Sequence, residues 1–166
     1  MRNPKTIAWG LVAALAVAGA VYAQQKGGKA GKLTTADYVE IQQLYSRFSW
    51  ALSSGFDNGK AYANTFTVDG TFVHSGTVKI VGREALAKLA MSNKSADAAP
   101  GLRFVNILIA PSPEGARGGA YLIGANTGGS THSDILVKTR EGWRFKYKEF
   151  IAGKLPPPEI QALLLQ

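Results

Sequence analysis

The chain contains no cysteine. That excludes a disulfide framework, a thiol nucleophile and a lipoprotein anchor. Other chemistries are missing too. There is no Gly-x-Ser-x-Gly elbow, and no glycine loop opens a helix as a phosphate cradle requires; Gly118 and Gly119 sit in a strand context. No twin-arginine pair stands near the start, no nucleic-acid motif is present, and no internal repeat marks a second domain. Histidine occurs only twice, so few side chains are available for proton transfer near neutral pH.

What is present begins with a leader. Met1 to Lys5 is short and basic, Ile7 to Ala20 is apolar, and Val21-Tyr22-Ala23 has the small residues a signal peptidase reads. Residues 1–23 are therefore expected to be a secretory signal peptide cleaved after Ala23, the alternative being an uncleaved anchor. Residues 24–33 are Gly/Lys-rich and read as a flexible linker. Residues 34–154 then form one domain, and 155–166 a Pro-rich break with an apolar tail. The expected location is the periplasm or the outside of the cell. The net charge is +8, and removal of Arg2 and Lys5 leaves +6. The densest part of this charge is the row Arg144, Lys146 and Lys148, read as a solvated strand face. Neither a nucleic-acid partner nor, after cleavage, a membrane is expected.

Thr34 can cap a helix with Asp37 at its third position, and Ile41, Leu44, Tyr45, Phe48 and Leu52 follow at helical spacing. Tyr45 and Trp50 carry polar tips that can face a cavity. Ser53-Ser54-Gly55 ends the helix, Asp57-Asn58-Gly59-Lys60 caps a second, and Gly82 to Met91 predicts a third. Strands are expected at Thr71 to His74, Val78 to Val81, Leu102 to Ala110 and Ala116 to Ala125. Asn93 to Pro100 reads as a loop able to serve as a lid or entrance.

The last hairpin concentrates the chemistry. Alternation puts His132, Asp134 and Leu136 on one face of a strand, with Ser133, Ile135 and Val137 on the other. After a turn at Arg140-Glu141-Gly142, Trp143, Phe145 and Tyr147 share a face. Helices first and long antiparallel strands later argue an α+β domain: a cone-shaped, strongly curved, mostly antiparallel sheet with three helices from the N-terminal half enclosing a pocket.

Five stretches, in order, resemble the SnoaL-like domain of the nuclear transport factor 2-like superfamily. They are Asp37 to Leu44, Ala51 to Gly55, Tyr62 to Phe72, Gly82 to Leu86 and Asp134 to Phe145. The resemblance implies the α+β cone, often a homodimer through the sheet. Relatives include scytalone dehydratase, ketosteroid isomerase, limonene epoxide hydrolase and polyketide cyclases. It also implies a catalytic role for His132, which falls where dehydratase-type enzymes place a strand histidine, and for Asp134, near the acid/base Asp of the cyclases. The family's Asp near the end of the first helix appears here as Ser53. A second catalytic His maps to Leu102 or Arg103. The family's strand Asn is present as Asn106, and His74 stands where a cavity Tyr is usual.

Two functions follow as expectations. One is a cofactor-free acid/base enzyme, a lyase or isomerase acting on a small apolar hydroxy- or keto-compound. His132 and Asp134 would move protons, with His74, Tyr45 or Tyr121 as hydrogen-bond donor. Trp50, Ser53, Phe72, Phe104 and Asn106, together with Tyr121 and Trp143, would line the ligand pocket. The other is a non-catalytic ligand-binding or dimerisation module whose tail, Ile160 to Leu165, packs on a partner. No cofactor is expected. His74, His132 and Asp134 contain the parts of a metal site, but the order differs from the familiar two-His, one-carboxylate pattern and no metal is expected.

Overall fold

The computed structural model describes residues 31–74, 76–92, 103–124, 127–151 and 156–166. The expected leader, most of the linker, the loop Asn93 to Pro100 and Leu102 lie outside the described residues. Helix α1 (Thr35–Ser54) starts at a capping box. The Thr34 hydroxyl accepts from the Asp37 backbone N–H at 3.2 Å, and the Asp37 carboxylate accepts from the Thr34 N–H at 2.9 Å. Gly55 closes the helix with φ 59°. Ile41, Leu44, Tyr45 and Phe48 are buried along one stripe, as their spacing requires.

Helix α2 (Lys60–Ala63) is a single turn. Asp57 and Asn58 do not cap it by side chain; both adopt positive φ, and Gly59 opens it at φ 79°. A Cβ on Gly59 would lie 2.2 Å from the Ala87 carbonyl oxygen. Glycine is thus what lets α2 lie against α3 (Arg83–Ser92).

Strands β1 (Phe66–His74), β2 (Val78–Val81), β3 (Arg103–Ser112), β4 (Gly115–Gly124), β5 (Thr127–Thr139) and β6 (Gly142–Ile151) form one sheet in the order β2-β1-β6-β5-β4-β3. Every neighbouring pair is antiparallel except β1 with β6, which is parallel. The sheet curls around α1 as the α+β cone of the sequence reading. Phe48 packs on Tyr62, Phe66, Phe104 and Phe145 with ring centroids 4.9–5.9 Å apart. Burying each such ring contributes about 1.5–3 kcal/mol, so this cluster dominates the core.

Two bulges bend the sheet and decide which side chains face inward. In β6, Leu136 pairs with Phe145 but Ile135 pairs with Tyr147, so Lys146 is the extra residue. Beyond it the alternation is reversed. Lys148 pairs with Asp134 and Phe150 with His132, on the inner face, while Tyr147 and Glu149 turn outward. The expected solvated row is therefore wrong for Lys148, which is fully buried, and for Arg144, which is 8% exposed. Only Lys146 keeps that role, paired with Asp69. The second bulge is at Asn106, which has φ 52° and lies between the pairs Val105–Tyr121 and Leu108–Gly119.

The apolar tail is a short helix, α4 (Pro158–Leu163). Ile160 is buried on the outer face of the sheet, where a Cβ on Gly119 would meet its Cγ2 at 3.1 Å. This side chain packs on its own sheet, while Leu164 and Leu165 remain exposed.

Candidate functional site

Asp134 of β5 lies at the centre of the cone, fully buried. Its Oδ2 accepts from the Tyr45 hydroxyl at 2.5 Å and from Lys148 Nζ at 2.8 Å. Its Oδ1 is buried with no partner among the described residues. Gly118 on β4 makes room for this arrangement, since a Cβ there would fall 2.1 Å from the Tyr45 oxygen.

The Lys148 ammonium is also fully buried. It lies over the rings of Phe104 and Phe145, each at 4.4 Å, Tyr45 at 4.6 Å and Phe48 at 4.9 Å. A carboxylate and four ring faces thus replace the water that an ammonium loses on burial. Burial pushes Asp134 up and Lys148 down, and their mutual attraction opposes both shifts. Tyr45 is pushed well above its ordinary value, first by burial and then by the adjacent Asp134 charge.

His132 lies one inward position from Asp134. It is 2% exposed, and neither ring nitrogen has a partner among the described residues. Phe104 meets it edge-on at 5.2 Å, and Phe150 lies 5.9 Å away. Burial first, then the positive charge of Lys148, lowers its pKa to about 2, so the imidazole is neutral across the physiological range. His74 is an exposed strand end stacked on the other side of Phe150 at 5.0 Å. It marks the rim where β1 and β6 end.

The structure brings Tyr45, Asp134, His132 and Phe104 together. It places several other sequence candidates elsewhere. Trp50 is 78% exposed on the outside of α1, and Tyr121 is half exposed on the outer face of the sheet. Asn106 is exposed because the bulge turns it outward. Ser53 donates to the Ser49 carbonyl within its own helix at 3.0 Å. Phe72, by contrast, stays beside the site, half-buried against the core and opposite Lys148 in the β1–β6 register. Trp143 is buried near the start of α1, where its indole N–H donates to Asp37 Oδ1 at 2.9 Å. That bond and the one from Lys138 at 2.7 Å tie α1 to the hairpin; Lys138 first, then the Thr34 donors and Trp143, hold Asp37 well below the usual carboxylate range. No group of three metal-binding side chains gathers among the described residues.

The comparison with family models agrees with this architecture. Residues 34–149 match the model of the SnoaL-like domain. The chain belongs to the SnoaL-like domain family. Among solved structures, this SnoaL-like protein is similar to one of unknown function with a cystatin-like fold from Nostoc punctiforme. That match has a TM-score of 0.60 at 21% identity and covers 76% of this chain and 98% of the other. It is also similar to a nuclear transport factor 2-like protein from Novosphingobium aromaticivorans, with a TM-score of 0.59 at 22% identity, covering 78% and 89%. A candidate scytalone dehydratase from the same organism matches with a TM-score of 0.56 at 18% identity, covering 69% and 83%. At such identities the likeness shows the fold. No curated protein matches the sequence.

Sequence reasoning missed Lys148 in this SnoaL-like chain. A strict alternation places it with Arg144 and Lys146, outside. The available signal was a change of phase: Trp143 and Phe145 are on odd positions, and Phe150 on an even one. A strand of unbroken alternation cannot point all three to one face, and a bulge between them resolves the conflict.

Proposed function

We propose that this SnoaL-like protein is a cofactor-free acid/base enzyme, a lyase or isomerase, acting on a small, mainly apolar hydroxy- or keto-compound. The observation that carries the reading is a set of three buried polar atoms without a partner among the described residues, on successive inward positions of β5: Asp134 Oδ1 and both ring nitrogens of His132. Native interiors rarely leave such atoms unsatisfied, and each costs about 1–3 kcal/mol. A bound ligand with an oxygen and an acidic C–H would satisfy them.

In this reading the roles differ from a paired base. Tyr45 and Lys148 occupy Oδ2 and leave Oδ1 as the atom that takes a proton. Burial raises Asp134 toward the range of a useful base. His132 is too weakly basic to compete for the proton, and its neutral N–H donates to the substrate oxygen as negative charge develops there. The proton moves from a carbon next to a carbonyl to Asp134, and returns at another carbon in an isomerisation. In a dehydration the C–O bond to the β-hydroxyl breaks as the C=C bond forms, and the departing oxygen takes the proton back from Asp134 to leave as water. We further propose that the protein acts in the periplasm or outside the cell after loss of residues 1–23. A homodimer through the outer face of the sheet also belongs to this reading, where Tyr121 and Ile123 are about half exposed.

The test is proton exchange. A panel of apolar cyclic ketones is incubated with the protein in deuterated buffer, and loss of the α-proton signal is followed by NMR. At least one ketone is expected to exchange faster with protein, and Asp134→Asn to abolish the gain. Equal exchange with and without protein across the panel rejects the reading.

One observation favours a second reading, a non-catalytic binding or dimerisation module. Two clefts among the described residues, of about 530 and 360 Å³, lie on the outside of the helices, and neither is lined by Asp134 or His132. Lys148 and its four rings fill the centre.

A further inference from the structure

The outer flank of α1 and the turn after it each carry an aromatic side chain that the core does not use. Trp50 is 78% exposed and Phe56 is 70% exposed. Both border a cleft of about 360 Å³ whose wall also holds Arg47 and Arg144. Arg47, Trp50, Ala51 and Ser54 line it at helical spacing, so one stripe of α1 forms a side of the cleft. Its lining residues include none of Tyr45, Phe104, His132, Asp134 and Lys148, although Ala51 also packs into the core.

The charge here is unbalanced. Arg144 is nine-tenths buried; its Nη1 donates to the Trp143 carbonyl at 2.9 Å and its Nη2 to Glu141 at 3.4 Å. Its Nε is buried and has no partner among the described residues. Glu141 also faces Arg83 at 3.8 Å, and is itself 67% exposed. Arg47 makes no hydrogen bond or ion pair among the described residues; burial of Arg144 first, and then the charge of Arg47, hold Arg144 below the ordinary guanidinium value. Arg83 and Arg144 therefore share one mostly solvated carboxylate, and Arg47 adds a further guanidinium to the cleft wall.

We propose that this cleft binds a small organic anion, a carboxylate carried on a flat apolar body. Arg47 supplies the free fork for the carboxylate, and the field of Arg144 adds to it. Trp50 and Phe56 take the ring. The volume suits a small ligand rather than an extended chain. This site is independent of the interior reading above.

The experiment is an NMR titration of the chain with 2-naphthoate and, separately, with neutral 2-naphthamide. Naphthoate is expected to shift the Trp50 indole N–H, to bind more weakly as salt rises, and to lose about tenfold or more in affinity in Arg47→Ala. Trp50→Ala is expected to weaken it as well, and Arg47→Ala to leave naphthamide unaffected. Equal binding of the acid and the amide overturns the proposal. So does naphthoate binding that ignores Arg47→Ala, or shifts confined to His132. An acidic peptide that binds at Arg47 and Trp50 more tightly than naphthoate would reassign the cleft and overturn it too.

Discussion

Tyr45 of the first helix donates to Asp134 of the fifth strand at 2.5 Å, across 89 positions of sequence. The same oxygen receives Lys148, so one carboxylate atom holds together α1, β5 and β6 at the centre of the cone. The consequences are measurable.

Breaking the Asp134–Lys148 pair from one side is expected to be far more damaging than removing it whole. Lys148→Met leaves a buried carboxylate without its cation and should cost about 3–5 kcal/mol in urea denaturation. Asp134→Asn combined with Lys148→Met should recover most of that loss. A double variant as unstable as the sum of the single ones would mean the pair is not coupled.

His132 makes folding sensitive to acid. The unfolded chain protonates a histidine near pH 6.5, whereas the folded site resists until about pH 2. The unfolded state therefore binds more protons as pH falls below 6.5, and stability drops by about 1.4 kcal/mol per pH unit from this group alone. His132→Phe should flatten the stability profile between pH 6.5 and 4 relative to the parent. Direct NMR titration should show no imidazolium at pH 5.

Gly118 is required by the Tyr45 hydroxyl. Gly118→Ala would place a Cβ within 2.1 Å of that oxygen and should displace it from Asp134. A cost of about 1–3 kcal/mol is expected. Tyr45→Phe in the same chain should relieve much of the clash, because the crowded oxygen is gone. A Gly118→Ala protein as stable as its parent would show that Tyr45 moves freely.

Ile160 is expected to act within its own chain. Ile160→Ala should lower stability by about 2–5 kcal/mol, and the loss should not depend on protein concentration. A loss that disappears on dilution would instead assign the side chain to a subunit contact.

Much of the architecture is legible in the residues. The Thr34–Asp37 box, the stripe through Phe48, Gly55 and the hairpin turn before Gly142 each carry a local physical cause, and the structure has all of them. His132 and Asp134 share the inner face because β5 keeps its alternation between them. The rest of the site was not legible by the same rule. A bulge adds one residue to a strand, and it reverses every side chain beyond it. It carried Lys148 inward in β6, and at Asn106 it turned a candidate ligand residue outward. Trp50 was misread for a related reason: a wide aromatic stripe on a helix does not reveal which edge meets the sheet.

The sequence alone determined the class of fold, the order of its elements, the buried stripe of α1 and the pairing of His132 with Asp134 on one face. These follow from periodicity, caps and turn chemistry, all of which act over a few residues. Only the tertiary structure decided that Lys148 is caged by Tyr45, Phe48, Phe104 and Phe145, that Asp134 has one oxygen occupied and one without a partner among the described residues, and that α4 covers Gly119. Those outcomes depend on strand register and on the competition between desolvation and pairing. Both are set by residues far apart in the chain.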